Sequence, residues 1–254
     1  MRMKTNMPGS TPLSRWSRNR SLAGLTKYMI EIHPSIDIET FATKIKNSLQ
    51  RSAEIEELQS MSEIGDMSSF SKAVVYVTVV SVYIDETTYR NLADRAIITE
   101  SICAAFAEHP KCKDVVSLGN YIVGVFNTAF KNDIDSALDS VGKVMALFNL
   151  VNKVYGQTMQ RDITYGVGMN YAKALLVKSM GGDTPLYTWS GEAITTAMNL
   201  SEKASYGKKV CASFTIYNNL KEDYQKLFTK ALLEGHYEAT PVNIAMNKWI
   251  NANV

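Results

Sequence analysis

The chain has 254 residues, 46% hydrophobic, 20% charged and 9% aromatic, enough apolar material to bury a core rather than stay disordered. With 27 Lys plus Arg against 25 Asp plus Glu, the formal net charge is +2, which gives no whole-chain case for nucleic-acid binding. Polar or charged residues interrupt every apolar run short of the ~20 residues of a membrane span, so a soluble protein away from the membrane is expected. Cys103, Cys112 and Cys211 are widely spaced with no C-x-x-C pair, which argues against a disulfide framework and against a structural zinc site. His33, His109 and His236 belong to no metal-binding motif. Residues 1–20 lack the apolar stretch of a secretory signal, so a reducing cytoplasm is the expected compartment.

Residues 1–30 carry Arg2, Lys4, Arg15, Arg18, Arg20 and Lys27 with no acidic residue, and read as a flexible basic tail. Residues 31–70 read as a helical extension, with Ile38, Phe41, Ile45, Leu49, Ala53 and Ile55 forming a stripe over 37–65. The break at Gly65 to Ser69 separates this extension from a main domain over 71–254.

The main domain opens with Ala73 to Val82, a β-branched run suited to a strand buried on both faces. A helix is predicted over about 86–108, with Tyr89, Leu92, Ala96, Ile97, Cys103 and Phe106 inward. Asp85 stands where its N-cap is expected, and Glu86 favours the helix dipole. Val115 to Leu118 and Tyr121 to Phe126 flank Gly119-Asn120, a two-residue hairpin signal. Asp133 opens a second helix whose stripe is Ile134, Leu138, Val141, Met145, Phe148, Val151 and Tyr155. Strand signal returns at Ile163 to Met169 and Ala174 to Val177. Asp114 and Asp183 read as solvated turn residues, and Trp189 as a packing residue placed where it can also stack on a base. The order is β-α-β-β-α-β, an α+β ferredoxin-like arrangement that many unrelated functions share.

Three segments are more specific than that order: the Gly119-Asn120 hairpin, Tyr165-Gly-Val-Gly-Met-Asn170, and Trp189-Ser-Gly-Glu-Ala-Ile-Thr-Thr-Ala-Met-Asn-Leu200. Together with the first strand they resemble the catalytic domain of class III nucleotidyl cyclases over residues 72–217. The texture is similar to the pyrimidine nucleotide cyclases of Pycsar antiphage systems through Ala172 to Lys178, the Trp-x-Gly start of the last segment, and Pro241 to Trp249.

The resemblance implies attack of a ribose 3′-hydroxyl on its own α-phosphate with loss of pyrophosphate, assisted by Mg²⁺ or Mn²⁺. Its two metal-binding Asp positions fall on Thr78 and Asn120, neither a carboxylate, with Asp85 as a weak substitute ligand. The Asn that orients the ribose and the Arg that stabilises the transition state fall on Thr195 and Asn199. The base-selecting positions fall on Val116 and Thr188, beside Trp189, and carry neither purine signature. The implied partners are a nucleoside triphosphate and a second chain, either a homodimer or a heterodimer with a related cyclase chain. Two readings follow. One is a catalytically degenerate scaffold that binds nucleotide or partner; the other is an active cytidylate or uridylate cyclase making cyclic CMP or cyclic UMP in antiphage signalling.

Overall fold

The structure is a computed structural model of the whole chain, and it describes residues 55–254 except 67–71, 160–161, 182–183 and 232–234, with isolated positions between 39 and 47. Two compact units, Met1–Ala53 and Glu54–Val254, divide the chain. In the first, Glu39, Ala42, Thr43, Lys46 and Asn47 are helical and exposed; the basic tail lies outside the described residues.

The second unit is built on one mixed sheet. Strand β2 (Lys72–Ile84) lies at its centre, paired antiparallel on one side with β4 (Tyr121–Phe126) and on the other with β5 (Tyr165–Gly181). Strand β3 (Cys112–Leu118) pairs with β4, giving the spatial order β3-β4-β2-β5 of the ferredoxin-like core. Beyond β5 lie β7 (Val210–Ala212), β9 (Tyr237–Ala239) and β8 (Thr229–Lys230), while β6 (Thr184–Ser190) returns along the far half of β5. The β-branched run of β2 is used as its sequence predicts: Val75, Val77, Val79, Val80 and Val82 are all at most 1% exposed. Burying each such side chain stabilises the fold by about 1.5–3 kcal/mol before entropy is counted.

The two faces of the sheet are covered differently. One face packs under α1 (Leu92–Ala107) and α2 (Lys131–Met159), with Val80, Val82, Ile84, Phe106, Phe126, Leu138 and Phe148 in its core. The other receives α3 (Glu192–Ser205) over Ala73, Val75, Val77, Val79 and Val125. Short helices α4 (Phe214–Asn219) and α5 (Glu222–Gln225) and the terminal α6 (Ile244–Asn253) complete the unit. No helix among the described residues is long and apolar enough to cross a membrane.

Three expectations are corrected. The helix over 37–65 does not reach its predicted end: Glu56–Leu58 is strand β1, parallel to β2, and Met61–Asp66 is a 3₁₀ turn. Met61 and Ile64, three apart as the tighter helix requires, bury against the α3 face. The second correction concerns α1, which starts at Leu92 rather than 86, capped by Asn91, whose Oδ1 accepts the Asp94 N–H at 3.0 Å. Asp85 is therefore no helix cap; its Oδ1 accepts the N–H and hydroxyl of Thr87 at 2.9 and 2.8 Å, a local turn that competes with helix. Of the predicted inward stripe, Tyr89, Cys103 and Phe106 do pack against the core, but Leu92, Ala96 and Ile97 are exposed and Ile98, Ile102 and Ala105 are buried in their place. The third is Asp133, which sits inside α2 and accepts the Phe130 N–H at 3.1 Å, the reciprocal half of a capping box.

Candidate functional site

Where β2 ends, three strands place their termini side by side. The Ile84 N–H donates to the Asn120 carbonyl at 2.9 Å, and the Asp85 N–H to the Thr164 carbonyl at 3.0 Å. Asp85 and the β3–β4 turn thus share one end of the sheet. Gly119 holds φ +55°, the left-handed region that a Gly-first two-residue turn needs. Arg95 of α1 closes the group: its Nη1 donates to Asn120 Oδ1 at 3.0 Å and to the Tyr89 hydroxyl at 3.1 Å, and its Nη2 donates to the Gly119 carbonyl. Its guanidinium also lies 5.5 Å from the Tyr89 ring centre.

On the α3 side of this end, Tyr83 and Tyr121 stand with ring centres 5.3 Å apart. The Tyr121 hydroxyl donates to Glu202 Oε2 of α3 at 3.1 Å. Burial pushes the Tyr83 phenol above its ordinary pKa, and the charges of Asp85 and Glu202 push it further. Burial raises Tyr121 as well, aided by its bond to Glu202. Asp85 and Glu202 therefore bring negative charge to the two phenols at this end.

Helix α3 sits close to the sheet because of the glycine-rich segment of β5. A Cβ on Gly166 or Gly168 would come closer than 3.0 Å to α3 backbone atoms, Ser201 and Ser205 for one and Ala197 and Ser201 for the other. The Asn170 side-chain amide donates to the Glu192 carbonyl at 3.3 Å, fixing the first turn of the helix. Thr195 and Asn199 are exposed one turn apart, and the Thr195 hydroxyl donates back to the Gly191 carbonyl at 3.2 Å. Asn199 precedes Glu202 by one turn, so this helix face leads toward Tyr121 and the hairpin.

The structure separates Thr78 from Asn120. Thr78 pairs with Phe126, whereas Tyr83 pairs with Tyr121 beside the turn. Five residues of strand put Thr78 about 17 Å from the hairpin end. Its hydroxyl faces α2 instead and meets that of Thr128 at 2.9 Å. Asp85, taken from sequence as only a substitute, is the carboxylate that lies beside Asn120. The alternation of strand β2 through Tyr83 and Ile84 carried that signal. Arg95 carries no signal in the sequence, because nothing in a helical arginine marks it as reaching a turn 25 residues away.

Among the base-selecting positions, Val116 is half-buried on β3 and Thr188 is exposed on β6. Trp189 packs partly against the α3-side core, and its indole N–H donates to Asp114 Oδ2 at 2.8 Å, two residues before Val116 on the same face of β3. Asp114 is thus a strand residue with a partner rather than a solvated turn; Asp183 lies outside the described residues.

As a cation ligand at the hairpin side of the sheet end, the carboxylate beside Asn120 is Asp85, with Oδ1 already accepting from Thr87, while Glu202 stands on the α3 side bonded to Tyr121. The Asn120 amide oxygen is occupied by Arg95. Among the described residues, the donors beside the hairpin fit a divalent cation held through the Asp85 carboxylate.

The fold that carries this site, a β3-β4-β2-β5 core with α3 laid across its glycine-rich strand, is that of class III nucleotidyl cyclase domains. Over 70% of this chain and 96% of the other, it superposes on the guanylyl cyclase Cya2 with a TM-score of 0.53 at 10% identity. A class III adenylyl cyclase-like ATP-binding protein from Pseudomonas aeruginosa gives 0.58 at 11% identity, over 90% of this chain and 53% of that one. In sequence, the chain is 24% identical over 233 residues to a uridylate cyclase of Treponema porcinum, covering 85% of this chain and 81% of that protein. No family model matches the chain.

Proposed function

We propose that this chain is a pyrimidine-type class III cyclase homologue that binds a nucleoside triphosphate and no longer converts it efficiently to a cyclic product. The observation that supports this reading is the Arg95–Asn120 contact at the hairpin: where the family resemblance calls for a carboxylate, an amide stands whose oxygen accepts from a guanidinium. Asp85 would hold the remaining Mg²⁺ or Mn²⁺, and that ion would neutralise phosphate charge. Thr195 can hydrogen-bond a ribose hydroxyl. Asn199 supplies no positive charge to a phosphoryl-transfer transition state, a loss worth about 3–4 kcal/mol or a 10²–10³-fold drop in rate. Val116, Thr188 and Trp189 lack purine-reading groups and suit a pyrimidine. The chain would act as a homodimer or with a related cyclase chain, in the cytoplasm and away from nucleic acid and membrane.

Offering CTP, UTP, ATP and GTP with Mn²⁺ to the purified protein tests the reading. Calorimetry should show saturable binding of CTP or UTP, and chromatography no cyclic nucleotide. Cyclic CMP or cyclic UMP from the parent protein would overturn it. The second reading, an active cytidylate or uridylate cyclase in antiphage signalling, would then stand. Asp85 at the strand end and the similarity to a uridylate cyclase along 85% of the chain favour that reading.

A further inference from the structure

Away from that site, the sheet edge beyond β5 gathers three groups that sequence spacing keeps apart. Cys211 on β7 lies directly opposite Glu238 on β9 in an antiparallel pair, so both side chains leave the same face. His236 is two residues before Glu238, and the two-residue period of an extended chain gives it that face too. One thiol, one imidazole and one carboxylate converge, with a ligating atom of each within 4.8 Å of the other two. Cys211 and His236 are buried at 0% and 3% exposure. The His236 Nε2 stands 3.2 Å from Glu238 Oε1.

We infer that Cys211, His236 and Glu238 form a binding site for a zinc-class transition-metal ion that clips β7 to β9. The donor set is the reason for that class: a thiolate with an imidazole selects a borderline ion such as Zn²⁺ over Mg²⁺ or Ca²⁺, which take oxygen ligands. The site is separate from the sheet end at Asp85, whose donors are all oxygens. Three protein ligands leave a fourth position for water. Binding replaces the Cys211 S–H bond with a sulfur–metal bond and releases that proton to solvent.

The same face holds a built-in competitor. The Lys209 ammonium is 2.5 Å from Glu238 Oε1. An arriving dication displaces the ammonium from the carboxylate, so Lys209 sets the affinity without ligating. Cys211 packs with Leu200 and Ala204, placing the ion beneath the second half of α3. An occupied site therefore braces strands of three residues each, β7 and β9, against the helix that bears Thr195 and Asn199.

The test uses the full chain after chelator dialysis, titrated with Co²⁺ alone and then back-titrated with Zn²⁺. One equivalent should bring up a near-ultraviolet thiolate-to-cobalt charge-transfer band that Zn²⁺ erases. Cys211→Ser should abolish the band, whereas Cys103→Ser and Cys112→Ser should keep it. Glu238→Gln, at a partly exposed position that leaves the core intact, should weaken Co²⁺ at least tenfold, and Lys209→Met should tighten it. The thermal midpoint of the parent should rise with Zn²⁺ and not with Mg²⁺. Absence of the band, its survival in Cys211→Ser, or an affinity indifferent to both Glu238→Gln and Lys209→Met would overturn the inference. Nucleotide binding at Asp85 is a separate readout, so failure here leaves that reading untouched.

Discussion

The hydroxyls of Thr78 and Thr128 meet 2.9 Å apart inside the protein, each residue at most 1% exposed. They serve each other and face away from the hairpin. Thr78→Asp should therefore supply no metal ligand and should instead bury an unpaired carboxylate, lowering stability by about 3–5 kcal/mol. Thr78→Val strands the Thr128 hydroxyl and should cost about 1–3 kcal/mol. The Val/Val double variant should cost less than the two singles added, a coupling that urea unfolding of the four proteins measures.

Gly168 carries the close approach of α3. In Gly168→Ala the methyl has only backbone to meet, Ala197 and Ser201, so the helix must lift. The expected loss is about 1–3 kcal/mol, as for overpacked cores, read as a lower urea midpoint. Gly119→Ala, which meets no atom within 4 Å, is strained only through its backbone angle and should cost less than Gly168→Ala.

Asp85→Asn separates a ligand from a turn residue. Asn keeps an oxygen for the Thr87 bonds, so stability should change by less than about 0.5 kcal/mol. Mn²⁺-dependent binding of CTP or UTP should fall at least tenfold in the same protein. Unchanged Mn²⁺ dependence would remove Asp85 from the site.

Burial raises the Cys112 thiol from 9.0 to about 11 and the Tyr165 phenol from 10.0 to about 12. Both folded values exceed the unfolded ones, so the unfolded chain loses these protons first. Their stabilising contribution is full below pH 9 and is lost as pH climbs from 9 toward 12. The urea midpoint should decline across that alkaline window. Cys112→Ala should flatten the part of the decline between 9 and 11. Near neutrality the Cys112 thiol should resist iodoacetamide in the native protein and react after unfolding.

How far the sequence carried the reading depended on which interactions were local. The β-branched run of β2, the α2 stripe and the Gly-Asn turn depend on near neighbours, and each formed as read. β1 did not announce itself, because Glu56 and Glu57 join β2 through their backbone and the side-chain partner of Glu57, Lys173 at 2.6 Å, is remote in sequence. The phase of α1 was misread because Ile97 and Ile98 are adjacent and only the packing of Ile98 with Phe106 decides between them. The position that the family resemblance assigns to a metal ligand, Thr78, lies in the middle of β2, whereas the strand runs on past Val82 to Ile84 and brings Asp85 to the turn. The Cys211, His236 and Glu238 grouping was invisible to spacing, since it arises from cross-strand register.

The grip of Arg95 on the hairpin makes the effect of a substitution at position 120 depend on position 95. A carboxylate introduced by Asn120→Asp would arrive within reach of a permanent guanidinium and pair with it, gaining stability while remaining unavailable to a cation. Arg95→Gln alone would free the turn without giving it charge. Both changes together would place a carboxylate at the turn with no guanidinium beside it, so the two positions act as one unit and a substitution at either must be read against the state of the other.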